Sequence, residues 1–135
     1  MRDPALFLTR AIFLLAGLIS LAIGFSITFL TQGFYRSTGI DLGGDVNLFS
    51  EIRASGAVLL VVALFLLGAL FKADWRPTAL IVAAVYFSAY GLARLYSAFA
   101  TGWAGPEITT AMVAELAIGA LALGVILHNR RYRHW

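Results

Sequence analysis

Residues 54–71 read ASGAVLLVVALFLLGALF. The stretch carries no charge, and its only polar side chain, Ser55, sits near its start. An α-helix rises about 1.5 Å per residue, so such a run comes close to crossing the roughly 30 Å hydrocarbon core of a bilayer. The apolar residues do not alternate with polar ones, which sets aside a transmembrane β-strand. With the polar lead-in from Glu51, residues 51–71 predict one transmembrane helix.

The same pattern recurs on both sides, at residues 10–31, 77–99 and 108–128. Four runs of this kind predict an all-α integral membrane four-helix bundle, with residues 1–135 forming a single transmembrane domain. Composition agrees. Of the 135 residues, 61% are hydrophobic and 13% charged, against about 45–50% and about 25% in soluble domains. Disorder is excluded on the same grounds, since the chain has ample apolar surface to bury. Pro77 lies in the first turn of the third run and Pro106 just before the fourth, where a missing N–H costs no helical hydrogen bond. The first run follows Arg2 and Arg10, as a signal peptide would. It is longer than the usual apolar region of about 7–15 residues, and no small-residue cleavage site follows it. We read it as a retained helix.

The chain has no cysteine, which excludes disulfides, thiol chemistry, thiolate zinc sites and iron–sulfur clusters. Its histidines, His128 and His134, fall in a basic tail with Arg130, Arg131 and Arg133. That is a solvated or lipid-facing end rather than a metal ligand set, and no metal or cofactor is expected. The formal net charge of +3 forms no continuous basic stripe, so nucleic acid is not an expected partner.

The basic residues set an orientation instead. Arg2, Arg10, Lys72, Arg76, Arg130, Arg131 and Arg133 fall on one side of four spans, which makes seven of the ten lysines and arginines. Arg36 and Arg53 fall on the other side. Both termini are therefore expected in the cytoplasm, in a bacterial inner membrane, with the connection 32–50 outside. That connection carries Asp41 and Asp45, and its Gly39, Gly43 and Gly44 give it turn character. Trp75, Tyr132 and Trp135 suit an inner aromatic belt, and Tyr35 and Trp103 an outer one. Small residues mark expected helix contacts: Ala16, Ser20 and Gly24 on the first helix, and Gly119, Ala122 and Gly124 on the last. The ends of the first and third runs, Phe29-Leu30-Thr31-Gln32-Gly33-Phe34 and Phe99-Ala100-Thr101-Gly102-Trp103, share a short pattern consistent with two hairpins of similar design.

Ionisable residues within apolar spans are costly, and they point to the bundle interior and to function. Arg94 precedes the outer end of the third helix, and Glu115 follows the outer start of the fourth. Both are expected roughly 8–11 Å below the outer boundary. Glu51 and Arg53 open the second helix on that side. Tyr86, Tyr90 and Arg94 repeat at i, i+4, i+8 along the third helix, with Ser97 beyond, and buried tyrosine hydroxyls need partners. Arg94 and Glu115 are expected to face inward and to interact directly or through one intermediary. As a structural cluster, these six residues (Glu51, Arg53, Tyr86, Tyr90, Arg94 and Glu115) would fix helix register. As a functional one they would line a small polar pocket opening outward, with Glu115 binding a proton, a cation or a polar ligand. No spacing matches a nucleophile with its base, a metal set or a phosphate loop; Gly43 and Gly44 lack the following Gly-Lys-Ser/Thr. An enzyme is not expected.

At these residues the chain resembles the small four-helix bacterial membrane proteins of the DUF4345 family. The likeness lies in Asn47, Arg53-Ala54 and Gly56 at the second helix, Arg94 with Ser97, Gly105-Pro106, and Glu115 with Gly119. It runs from the first helix to about His128. The resemblance implies a four-helix inner-membrane fold and no particular activity. The short loops lead to the expectation of a structural or accessory subunit of a larger membrane complex. Its partners would be the lipid bilayer and other membrane subunits or further copies of itself. The alternative is a small-ligand or lipid binder, or a transport component, using the outer polar cluster.

Overall fold

The computed structural model of the protein describes residues 4–132, with the side chain of Tyr132 left out. Arg2, Asp3, Arg133, His134 and Trp135 lie outside the described residues, as does the side chain proposed for an aromatic belt at Tyr132. The described chain forms α1 (Pro4–Phe29), α2 (Thr31–Ser37), α3 (Val46–Phe71), α4 (Arg76–Thr101) and α5 (Pro106–Tyr132), with a 3-10 turn at Ala73–Trp75. Four helices are long and apolar enough to cross a membrane.

The helices outrun the apolar spans because their ends are capped locally. The Asp45 carboxylate accepts from the backbone N–H groups of Asn47 at 2.9 Å and Leu48 at 3.3 Å, which starts α3 ahead of Glu51. Pro106 is the first residue of α5, where its fixed φ suits a helix start. The first connection departs from the sequence reading, which gave it turns alone. The backbone keeps helical hydrogen bonding across Leu30, from Leu30 N–H to the Ser26 carbonyl and from Phe34 N–H to the Leu30 carbonyl, both at 2.9 Å. The buried Thr31 hydroxyl donates back to the Ile27 carbonyl at 2.8 Å. These contacts carry the chain into the short helix α2 before the glycine turns begin.

The four long helices run up, down, up and down. α1 packs along α3 and α4 along α5, while contacts between these two hairpins are far sparser. At Gly24 the α1–α3 packing leaves no room for a side chain: an added Cβ would stand 2.9 Å from the Leu60 backbone nitrogen and 3.1 Å from the Gly56 carbonyl oxygen. Ala16 and Ser20 of the same stripe are buried. On α5 the stripe holds at Gly119 and Ala122 but not at Gly124, which is exposed and has nothing within 4 Å of an added Cβ. Small residues thus mark both hairpin seams, as close helix approach in lipid requires.

The hairpins are sealed together in only one half of the bundle. Phe13, Leu66 and Leu80 are the largest fully buried side chains there, packed among Ala16, Ala69, Ala79, Ala83 and Ala122. This half holds the start of α1, the end of α5 and the α3–α4 turn, and we term it the basic end. Lys72, Arg76, Arg130 and Arg131 gather at it. Arg76 Nε donates to the Ala69 carbonyl at 3.3 Å, Trp75 stacks on Phe65 at 5.2 Å, and Lys72 Nζ lies 4.5 Å from the Trp75 ring centre. Together they hold α3 to α4 where the chain reverses. Outward faces carry exposed Phe7, Leu64, Phe71, Phe99 and Leu127, the distribution a helix shows when hydrocarbon is its solvent.

Gly24→Ala is expected to destabilise the bundle by about 1–3 kcal/mol, the usual cost of overpacking. Gly124→Ala is expected to leave stability unchanged or slightly raised. Thermal unfolding of both variants in the same detergent checks the pair, and equal melting temperatures would contradict the close α1–α3 seam.

Candidate functional site

In the half opposite the basic end the core gives way to a cavity of about 280 Å³ between the hairpins. α1 supplies an apolar wall of Ile19, Ile23 and Ile27, joined by Leu59 of α3 and Ile118 of α5. α4 supplies Tyr86, Tyr90 and Arg94, whose i, i+4, i+8 spacing stacks them on one helix face. α5 supplies Glu115 and, nearer the loops, Glu107. Phe34 and Tyr35 of α2, with Thr38 and Ile40 after it, also line the space, and Leu42 beyond them is buried. The first connection therefore folds over the bundle.

Arg94 and Glu115 meet directly. Arg94 Nε donates to Glu115 Oε2 at 2.9 Å, with the two side chains 34% and 16% exposed. The α4–α5 seam brings them together, since a Cβ on Gly91 would clash with Leu116, the neighbour of Glu115 in sequence. Only one nitrogen and one oxygen are engaged. Arg94's terminal amino groups and Glu115 Oε1 have no hydrogen-bond partner among the described residues.

Two tyrosines continue the wall. Their rings stack at 4.7 Å. The Tyr90 hydroxyl is 2.7 Å from Ser55 Oγ, a polar bond from α4 to α3 and thus between the hairpins. The Tyr86 hydroxyl is buried beside that of Tyr90 and makes no well-formed hydrogen bond among the described residues. An unmade hydrogen bond of this kind ordinarily costs about 1–3 kcal/mol. Above them, burial pushes the Tyr35 hydroxyl above the ordinary tyrosine value; nearby Arg94 opposes the shift and Tyr90 adds to it. The folded protein thus favours the neutral phenol at Tyr35.

Of the six cluster residues, Tyr86, Tyr90, Arg94 and Glu115 come together and Glu51 and Arg53 do not. Glu51 is exposed, one turn beyond Ser55 and outside the cavity. Arg53 turns toward α1, where its Nε donates to Thr31 Oγ1 at 3.2 Å and its guanidinium lies 5.3 Å from the Phe49 ring centre. Ser97 faces Thr101 at 3.3 Å rather than extending the wall. Phe34, Tyr35 and Glu107 are cavity residues that the sequence reading left out. Tyr35 had a signal, as an aromatic at the expected membrane boundary, but not one that aimed it inward. Among the described residues no group of three or more histidine, aspartate or glutamate side chains is placed to hold a metal ion. The site instead presents hydrogen-bond donors and acceptors at one end of an apolar chamber.

A family model described as a domain of unknown function, DUF4345, matches residues 8–126. The chain belongs to that family. No curated protein and no solved structure matches it.

The ion pair is open to a double-mutant cycle with Arg94→Gln and Glu115→Gln. Each single change strands a partly buried charge, so the losses should not add, and a coupling of about 0.5–3 kcal/mol is expected. Thermal unfolding of the three variants supplies the cycle. Strictly additive losses would mean that the two side chains do not stabilise each other.

Proposed function

We propose that this DUF4345 protein is a multi-pass protein of a bacterial inner membrane that binds a small amphipathic molecule between its two hairpins. The observation that carries this reading is the cavity itself: about 280 Å³, apolar along α1 and polar along α4 and α5. Ligand sites are typically apolar chambers with a few convergent polar groups. Here those groups include Arg94's terminal amino groups and Glu115 Oε1, which make no hydrogen bond among the described residues. A purely structural cluster gains nothing from leaving such bonds unmade.

The basic end is packed shut by Phe13, Leu66 and Leu80, which favours binding over conduction through a single chain. The accessory-subunit reading rests on small size and short loops. The outward apolar faces suit lipid as well as neighbouring helices, so they add no support to that reading over binding. No side chains in the cavity stand as nucleophile and base, which favours a binder over an enzyme. Both termini are assigned to the cytoplasm on the strength of Lys72, Arg76, Arg130 and Arg131 at one end.

Binding is tested by filling the chamber. Ala111 lines it, and Ala111→Trp is expected to abolish the melting-temperature rise that small amphiphiles give the wild type. An equal rise in both would show that the compounds act elsewhere. Orientation is tested through the absence of native cysteine. A single cysteine at Gly44 is expected to react with a membrane-impermeant maleimide in intact spheroplasts, and one at Asp74 only after lysis. The reverse pattern would invert the topology.

A further inference from the structure

We propose that the cavity opens sideways between α1 and α5, and that its occupant is a single-chain amphiphile of the bilayer, held by its polar head with its tail running out through that seam into the hydrocarbon. The inference rests on the binding reading above and specifies where the ligand comes from and how it sits.

Four residues at equivalent positions locate the opening. A Cβ on Gly17 would meet Leu67, and one on Gly56 would meet Ile27, which marks the seam of α1 with α3. A Cβ on Gly91 would meet Leu116, which marks the seam of α4 with α5. Ile19, Val58, Ala89 and Ala114 each lie two residues from Gly17, Gly56, Gly91 and Leu116 in turn, about 200° round the helix. Each is therefore turned away from its own hairpin partner, and all four are exposed. Ile19 and Ala114 nevertheless line the cavity, whereas Val58 and Ala89 do not. Because α1 packs beside α5 and α3 beside α4, the chamber reaches the bundle surface through the α1–α5 seam. Ile23 and Ile118 carry that opening one turn further along each helix. Toward α3 and α4 the chamber instead stops at the Ser55–Tyr90 hydrogen bond and the stacked rings of Tyr86 and Tyr90.

The opening lies within apolar spans of α1 and α5, so on the multi-pass reading it faces hydrocarbon. The chamber's volume of about 280 Å³ falls below the roughly 300–1,000 Å³ of pockets that enclose a whole ligand. A membrane amphiphile therefore fits it only in part. Its head meets the free hydrogen-bonding atoms, Arg94's terminal amino groups and Glu115 Oε1, and its first methylenes meet Ile19 and Ile23. The rest of the tail passes out through the seam. A methylene that exchanges one apolar medium for another changes little in free energy, so tail length beyond the chamber does not affect affinity.

Chain length tests the opening. The full-length protein in phosphatidylcholine nanodiscs is titrated with C10 and C16 members of two series, 1-alkanols and alkylammoniums. Affinities are expressed per mole fraction of amphiphile in the bilayer, and Ala111→Trp nanodiscs provide the background. In each series that binds, C10 and C16 are expected to agree within about twofold. A chamber closed to lipid would reject the longer tail by at least about tenfold. Ala114→Trp places bulk in the seam and is expected to impose that limit, weakening C16 at least about tenfold relative to C10. Val58→Trp, at the equivalent place on α3, is expected to leave the two equal. Ala114→Leu, with a smaller loss in the same direction, replaces the tryptophan variant if that one does not fold. A tenfold loss at C16 in the wild type, equal affinities with the Ala114 seam blocked, or a limit imposed by Val58→Trp would overturn the lateral opening and leave the binding reading standing. Binding of neither series at either length above the Ala111→Trp background would overturn both.

Discussion

A guanidinium and a carboxylate stand in the half of the bundle opposite the basic end, where the outward faces are apolar, and in such surroundings neither is affordable alone. Arg94 and Glu115 answer that constraint by meeting at 2.9 Å across the α4–α5 seam. Much else follows from their contact. It pins the register of α5 against α4, because sliding either helix by one turn would separate the pair by about 5.4 Å and strand both charges. With the register fixed, Gly91 comes to lie under Leu116 and Gly119 under Ser88. The hairpin can then close as tightly as its glycines allow. The same register sets Tyr86 and Tyr90 on the flank of α4 that faces the other hairpin.

The two halves of the bundle differ because their side chains differ in size and chemistry. Toward the basic end the interhelical positions are Ala69, Ala79, Ala83 and Ala122, with Phe13, Leu66 and Leu80 filling the centre. Small residues let the helices approach, and a few large ones complete the packing. Toward the loops the corresponding positions on α4 are Tyr86, Tyr90 and Arg94. These side chains are long and end in polar atoms, so they hold the hairpins apart. The Ser55–Tyr90 hydrogen bond spans the gap without filling it. A cavity at that depth is thus the geometric result of placing tyrosines where the other half places alanines.

Depth along a helix is legible in sequence, whereas rotation about its axis is much less so. The four spans follow from apolar run length. The Arg94–Glu115 encounter follows from counting residues inward from opposite ends of neighbouring helices. Glu51 shares the face of Ser55 and falls outside the cluster by lying one turn farther out, whereas Arg53 falls outside it by rotation. Arg53 lies two residues from Ser55, about 200° around the helix, so when Ser55 faces Tyr90 the arginine faces Thr31 of α1. No local pattern reports which of the two faces inward, because that depends on how the hairpins pack. α2 was hidden for another reason. Its residues, Thr31–Ser37, include Gly33 and no apolar periodicity of their own. They are helical because α1 hands on its hydrogen bonding across Leu30 and Thr31 is buried, and both are tertiary circumstances. Tyr35 and Phe34 reach the cavity only as a consequence.

A buried polar cluster in a membrane bundle can serve as glue or as a site, and residue type alone does not distinguish the two. The hydrogen-bonding state of individual atoms does. Arg94 Nε, Glu115 Oε2, Tyr90 Oη and Ser55 Oγ are engaged within the chain; they tie α4 to α5 and α3, and they account for the cluster as glue. Tyr86 Oη lies buried beside Tyr90 without a well-formed hydrogen bond among the described residues, although burial makes an unmade hydrogen bond expensive. Phenylalanine would give the same ring stacking with Tyr90 without that cost, so packing does not explain the hydroxyl. Tyr86 lines the same cavity as Arg94 and Glu115, but its hydroxyl has no surface open to that space. On the proposed binding reading, the atoms open to an occupant are instead the terminal amino groups of Arg94 and Glu115 Oε1, whose hydrogen bonds an occupied cavity would complete and so favour the folded state.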